Sequence, residues 1–294
     1  MRRALALLLL LPLLAVGVVV PVAAASAAPA LPKVSGSFGK SPTITFPKTA
    51  PPSSLISKTL HQGTGATVAK GNLLVVNYLG QLWRGKVFDS SFSRGQLAPF
   101  DIGVKGLIAG WNKTLPGSRV GSRLLLVIPP ADGYGTKGNS SAGIPGNSTL
   151  VFVVDIVGTY KPTAGGDPHA KRETPNTGGV HVSGPLGGRP KVSVVGSATK
   201  PTAQKTIVLD KGTGRKVVAG LVVLQIVAAD YSGKVLQSSW TQGGPTAEFV
   251  GVPTQPSALD ALVGAPVGSR VLLEIPKNSS GGPYAVVVDI VAEP

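Results

Sequence analysis

The sequence predicts an α+β fold in two domains, each a curled antiparallel sheet packed on one short helix. Three observations carry that expectation. Gly 39 and Pro 26 of 294 residues favour turns and short strands over long helices. Apolar runs with a two-residue period recur along the chain, whereas a single segment has a helical period. Finally, a set of short motifs occurs twice at a nearly constant separation.

Taken in order, Met1-Arg2-Arg3 gives a positive start and Ala4 to Val20 an uncharged apolar run. Ala25-Ser26-Ala27 supplies a small-residue cleavage pattern, so residues 1–28 read as a signal peptide. Pro21 and the small residues after it weigh against a retained membrane anchor. The expected localisation is secreted or cell-envelope. With no cysteine the chain is not a lipoprotein, and its stability rests on packing.

Residues 29–54 form an extended Pro/Ser/Thr-rich leader with one strand-like stretch, Thr43-Ile44-Thr45-Phe46. The first domain, 55–161, contains Leu73 to Leu79, with Leu74, Val76 and Tyr78 on one face. Arg123 to Ile128 and Leu150 to Val157 are further strands, the second placing Phe152, Val154 and Ile156 together. The helix candidate is Leu107 to Leu115, with Leu107, Trp111 and Leu115 at four-residue spacing; Pro116-Gly117 stops it. Residues 162–204 have the Gly/Pro/Thr-rich composition of a linker. A second domain occupies 205–294.

The two domains repeat each other. Gly63-Thr64-Gly65 returns as Gly212-Thr213-Gly214, 149 positions later. Ser90-Ser91 returns as Ser238-Ser239 at 148, and Val120-Gly121-Ser122-Arg123 as Val267-Gly268-Ser269-Arg270 at 147. Val153 to Val157 returns as Val287 to Val291 at 134, so the second copy lacks 13 residues between the counterparts of Pro129 and Leu150. The leader echoes faintly, Pro32-Lys33-Val34-Ser35 against Pro190-Lys191-Val192-Ser193.

Composition excludes several chemistries. Zero cysteines remove disulfides, thiolate metal sites and cysteine nucleophiles. His61, His169 and His181 lie far apart without metal-ligand spacing, so no metal is expected, and they assemble no Ser-His-Asp triad. The Gly-Thr-Gly pairs are turns, since no Lys-Ser/Thr helix opens after them. The net charge of +15, or +13 without Arg2 and Arg3, is scattered rather than clustered. That suits an anionic cell-envelope surface better than nucleic acid. Aromatics are scarce, yet eight of the 15 fall between Tyr78 and Phe152.

Within that stretch stand Val75-Val76-Asn77-Tyr78-Leu79-Gly80, Gly85-Lys86-Val87-Phe88-Asp89-Ser90-Ser91 and Leu107-Ile108-Ala109-Gly110-Trp111. Tyr134-Gly135, Gly143-Ile144-Pro145 and Thr149-Leu150-Val151-Phe152 follow. In order and spacing, from about Gly63 to Val157, these resemble the FKBP family of peptidyl-prolyl cis–trans isomerases. The resemblance implies two FKBP-like domains, the first an isomerase accelerating X-Pro rotation in exported polypeptides. Uncatalysed rotation takes tens of seconds because the amide must lose resonance at a barrier of roughly 20 kcal/mol. A twisted amide is less polar than a planar one, so a water-poor aromatic cup favours it; no cofactor is needed.

The resemblance further implies Trp111 as cup floor, with Tyr78, Phe88, Phe100 and Phe152 around it. By pattern alone Phe100 and Phe152 read as core. Leu107 and Ile108 would form the rim, the Ile108 backbone N–H meeting a substrate carbonyl. Asp89 would be the pocket carboxylate, paired with Tyr78 or Arg94. Tyr134 would donate a phenol hydrogen bond to bound peptide, and Ile144 would line the flap. Ala98, Gly106 and Gly143 depart from the family pattern, which bears on substrate preference and on macrolide ligands. The second copy has Ile226 for Tyr78, Leu236 for Phe88, Gln237 for Asp89, Ala258 for Trp111 and Val286 for Phe152. It is expected to fold without isomerising. The chain is expected to be a monomer. The alternative function is a non-catalytic peptide-binding chaperone or envelope-binding module.

Overall fold

The computed structural model describes residues 30–173, 175, 177–278 and 281–294; the expected signal peptide, residues 1–28, lies outside them. The chain opens with a hairpin, β1 (Lys33–Ser35) and β2 (Thr43–Thr45). The first large sheet follows: β3 (Ile56–His61), β4 (Leu73–Leu82), β5 (Val87–Ser90), β6 (Ala98–Asp101), β7 (Arg123–Ile128) and β8 (Leu150–Tyr160). These strands lie antiparallel in the order β3-β7-β8-β4-β5, with β6 also paired to β4. Two short helices interrupt them, α1 (Ser91–Arg94) and α2 (Ala109–Thr114).

Strand alternation sorts the side chains as expected. Leu74, Val76 and Tyr78 of β4 join Phe152, Val154 and Ile156 of β8 against Trp111 and Leu115. All six residues of β7 are buried because the sheet is covered on both faces. Leu124, Leu126 and Ile128 enter that core, while Leu125 and Val127 lie under the N-terminal hairpin. The helix is shorter than its periodicity suggested. Ile108 caps it with ψ 144, an extended value that leaves Leu107 outside the first turn.

The leader, expected to be extended, is instead the covering hairpin. Val34, Ile44 and Phe46 pack over Leu125, Val127, Val151 and Val153. Beneath it Arg123 makes a two-point ion pair with Asp155, Nε to Oδ1 at 2.6 Å and Nη2 to Oδ2 at 2.7 Å. The same guanidinium donates to the Gly36 and Lys40 carbonyls, and the Gly39 N–H donates to Asp155. Every charge buried here therefore has partners.

The second half contains β9 (Lys171–Arg172), β10 (Val180–Ser183), β11 (Lys191–Val194), β12 (Lys205–Lys211), β13 (Gly220–Asp230) and β14 (Val235–Ser238). It ends with β15 (Thr246–Val250), β16 (Arg270–Ile275) and β17 (Tyr284–Ala292). The strand order is β14-β13-β17-β16-β12, with β15 on β13: the order of the first sheet, with β9 added beside β12. A single 3-10 turn, Ala258–Leu262, stands in place of α2, and Leu262 is fully buried like Leu115.

Residues 162–204, expected as a linker, pack on this second sheet. Gln225 Nε2 donates to the Pro162 and Ala164 carbonyls at 2.8 and 3.0 Å. The β10–β11 hairpin lays Val180, Val182 and Val192 over Leu209, Leu272 and Val287. Composition misleads here because glycine and proline serve hairpin turns rather than a tether. The two hairpins also correspond to each other. Val34-Ser35-Gly36, Gly39 and Pro42 match Val182-Ser183-Gly184, Gly187 and Pro190, all 148 positions apart. Gly36 and Gly184 share φ of 98° and 116°, a left-handed turn that favours glycine. The echo between Pro32–Ser35 and Pro190–Ser193 is thus out of register. Lys40 and Gly188, equivalent in the correct register, both give their carbonyl to the buried arginine, Arg123 and Arg270.

The two halves meet through β4 and β13. Leu73 and Val75 cluster with Leu221 and Val223, again 148 positions later. Like faces therefore meet, the arrangement of a two-fold dimer within one chain.

Candidate functional site

The concave side of the first sheet holds a cavity of about 380 Å³. Trp111, held by α2, is 2 % exposed and forms its floor. Three rings stand edge-on to it: Phe100 at 4.9 Å between centroids, Phe152 at 5.3 Å and Tyr78 at 5.6 Å. Phe88 completes the wall by packing edge-on to Phe152 at 5.5 Å. This edge-to-face geometry suits the ring quadrupoles and fixes each side chain. It also requires Gly80. A Cβ there would lie 2.7 Å from the Phe88 ring and 2.9 Å from Phe152.

One charged network borders the apolar cup. Asp89 accepts hydrogen bonds from the Tyr78 phenol and the Arg94 guanidinium, which form an ion pair and a triad on the rim. Arg94 also lies 5.8 Å from the centre of the Tyr78 ring. Both expected partners of Asp89 are therefore engaged at once. Burial, reinforced by the bond to Asp89, pushes the Tyr78 phenol up to about 12. Tyr78 is thus a proton donor throughout the physiological range. Arg94 is positioned by α1, whose Ser90 side chain caps the helix by accepting from the Ser93 N–H. Ser91, fully buried, ties α1 to β4 by bonding the Tyr78 N–H.

Two further donors face the cavity. The Ile108 N–H, at the N-cap of α2, makes no hydrogen bond among the described residues. The Tyr134 phenol is likewise without a partner there. An apolar floor with free donors at its rim can strip water from an amide and hold its carbonyl oxygen.

Of the residues expected at the site, Tyr78, Phe88, Asp89, Phe100, Leu107, Ile108, Trp111, Tyr134 and Phe152 all line the cavity. Arg94 does not; it acts one residue away, through Asp89. Ile144, expected on the flap, does not itself line the cavity; it is 3 % exposed and packs in the same apolar cluster as Trp111, Tyr78 and Phe152, while its backbone pairs with Asn139. Pro99, Asp101, Val104 and Lys105 also line the cavity without having been expected there, as does Gly106, one of the departures from the family pattern. Alternation along β6 sets Phe100 toward the cup and its neighbours Pro99 and Asp101 to the other face, so no strand period pointed to them. Of the eight clustered aromatics, Trp83 and Phe92 do not line the cavity; Trp83 packs against Phe46 of the hairpin side at 5.4 Å.

Among the described residues no group of three His, Asp or Glu side chains comes together as a metal site. No helix among them is long and apolar enough to cross a membrane.

A family model described as FKBP-type peptidyl-prolyl cis-trans isomerase matches residues 65–157. The chain is 35% identical over 117 residues to the FK506-binding protein of Streptomyces anulatus, covering 40% of this chain and 94% of that protein. It is 39% identical over 118 residues to a probable FK506-binding protein of Corynebacterium glutamicum, covering 40% of this chain and 96% of that one. With the isomerase FkpA of Escherichia coli the identity is 38% over 117 residues, but the match spans only 42% of that protein.

Proposed function

This chain belongs to the FKBP-type peptidyl-prolyl cis-trans isomerases, and from that premise we propose that its first domain, 55–161, rotates X-Pro bonds in exported polypeptides. The observation that carries the proposal is the Trp111 floor with its edge-on rings, beside which the Ile108 and Tyr134 donors are unpaired. The proline ring rests on Trp111, between Tyr78, Phe88, Phe100 and Phe152. The Ile108 N–H holds the carbonyl before or after the rotating bond, and the Tyr134 phenol holds the neighbouring backbone. Desolvation in the cup disfavours the planar, more polar amide, so the twisted state gains relative to the ground state. The Asp89–Tyr78–Arg94 triad keeps the cup wall rigid and presents a fixed dipole to the substrate.

The second domain, 205–294, reads as an FKBP-like copy that has lost its chemistry. Ile226, Gln237, Ala258 and Val286 replace Tyr78, Asp89, Trp111 and Phe152, and the loop carrying Tyr134 is absent from it. Export through residues 1–28 and attraction of the +13 chain to an anionic envelope belong to the same proposal.

The test is isomerisation of a short Xaa-Pro peptide by the full chain, beside Asp89→Val and Trp111→Ala variants. The wild type should accelerate it. Each variant should lose about tenfold or more in kcat/KM, some 1.4 kcal/mol of transition-state binding. A folded wild type with no acceleration over background would overturn the isomerase reading in favour of peptide holding.

A further inference from the structure

The cup does not end at its own rim. A groove of about 560 Å³ lies between the two halves, and Pro99, Phe100, Asp101 and Val104 line both it and the cup. Its far wall comes from the second domain and includes Ile226, Gln237, Gln242 and Glu248. These four stand 148 positions after Tyr78, Asp89, Arg94 and Phe100. Strand register confirms the equivalence. Tyr78 pairs with Val154 and Phe100 with Leu74, while Ile226 pairs with Val288 and Glu248 with Val222. The residues that form an aromatic and ionic cup wall in one half thus form a polar groove wall in the other.

We propose that this groove is a second subsite, which holds the extended polypeptide flanking the proline that is being rotated. The inference rests on the isomerase reading of the first domain for what occupies the cup, but the groove is a separate surface. Its chemistry suits a peptide backbone. Gln237 and Gln242 are exposed, and among the described residues their side-chain amides make no hydrogen bond. Each offers donors and an acceptor of the kind an extended chain needs. Glu248 is a half-buried carboxylate in a basic protein, bonded by Thr246, and gives the groove a preference for a cationic or donor side chain. The groove is also held in shape. The Leu73, Val75, Leu221 and Val223 cluster beside it is buried, and Leu73 itself lines the groove. The replacement of a ring and an ion pair by Ile226, Gln237 and Gln242 then has a function: it empties one cup to widen the path out of the other.

The experiment compares two proline-containing peptides on the full chain, a tetrapeptide and one longer by about eight residues, which adds roughly 26–29 Å of reach. Binding is read by fluorescence anisotropy and isomerisation by a coupled assay. The wild type should bind the longer peptide about tenfold more tightly, close to 1.4 kcal/mol. Gln242→Trp, which fills the groove from an exposed position, should abolish that gain and leave tetrapeptide isomerisation within about twofold. The Gln237→Ala/Gln242→Ala double variant should reduce the gain without adding bulk, with folding checked by circular dichroism. Equal affinities for the two peptides in the wild type would overturn the subsite, as would a length-dependent gain that survives both variants. Loss of tetrapeptide turnover in the wild type would instead sink the isomerase reading, while the binding comparison would still decide the groove.

Discussion

Phe100 and Glu248 occupy one position in two sheets of the same strand order, Phe100 opposite Leu74 and Glu248 opposite Val222. One is a ring packed on Trp111; the other is a carboxylate that bonds Thr246. Both line the groove between the halves. Equivalent positions of the two sheets therefore supply an apolar wall on one side of the groove and a polar one on the other. The fold tolerates this because β6 and β15 are outer strands, paired on one side to β4 and β13, and their side chains at this position face a cleft rather than a sealed core.

Gly80→Ala should damage the cup without touching any polar group. The added methyl has no free volume, with Phe88 and Phe152 ring atoms at 2.7 and 2.9 Å. Overpacking of this kind costs about 1–3 kcal/mol. The rings must turn or retreat, so kcat/KM should fall while the chain stays folded. Thermal unfolding and peptide isomerisation measured together check it; unchanged values in both would show that the wall is slack.

Trp111→Ala removes the floor from a packed cluster. Truncating a buried tryptophan costs about 3–5 kcal/mol, and the second half carries Ala258 at the equivalent place. The cost should therefore fall on the first half alone, as an earlier unfolding transition with the second left in place. Trp111→Phe should restore much of the stability and part of the activity. Calorimetry resolves the two transitions; a single unshifted one would contradict the assignment.

Much of this was legible in the sequence. Strands β4, β7 and β8 carry five or more apolar residues in alternation or in unbroken runs, so their faces could be read directly. The cup rings were legible because residue type and spacing coincide along the first half. The hairpins were not. The first places only Val34, Ile44 and Phe46 on the sheet and the second only four valines spread over two short strands, too few in a row for periodicity, and their glycines look like linker composition. Their shared Val-Ser-Gly, Gly and Pro spacing was the available signal, and it lies at the same 148 offset as the domains. Val104 and Lys105 lie between elements, where no period operates; Ile144 meets the Trp111 cluster through tertiary packing that no local pattern encodes.

The Tyr78 phenol should titrate late. Its ordinary value of 10.0 is pushed to about 12 by burial and by the bond to Asp89. Because the folded chain keeps this proton more tightly than the unfolded chain, the stability it contributes is full below pH 10 and lost as pH rises through about 12. Tyrosinate absorbance followed against pH should show a late-ionising phenol that disappears in Tyr78→Phe. Tyr231, also raised to about 12 by burial, should remain in both titrations. A Tyr78→Phe curve that instead loses a phenol ionising near the ordinary value of 10.0 would mean that Tyr78 is freely hydrated.

The two buried arginines should differ in what they hold down. Arg123 pairs with Asp155 and fastens its hairpin through the Gly36 carbonyl at 2.6 Å and the Lys40 carbonyl at 2.7 Å. Arg270 pairs with Asp289, but among the described residues it reaches its hairpin only through the Gly188 carbonyl, and its Nη1 makes no hydrogen bond, lying 4.0 Å from Asp210 Oδ2. Removing either cation strands a buried carboxylate, a loss of about 3–5 kcal/mol. Arg123→Met should in addition release residues 33–45, whereas Arg270→Met should leave 180–194 closer to its wild-type protection, since it removes one arginine–carbonyl bond to its hairpin where Arg123→Met removes two. Hydrogen exchange resolved by peptide reads both at once. Equal deprotection of the two hairpins would show that the arginine carbonyl bonds are incidental and that apolar contact alone keeps these covers closed.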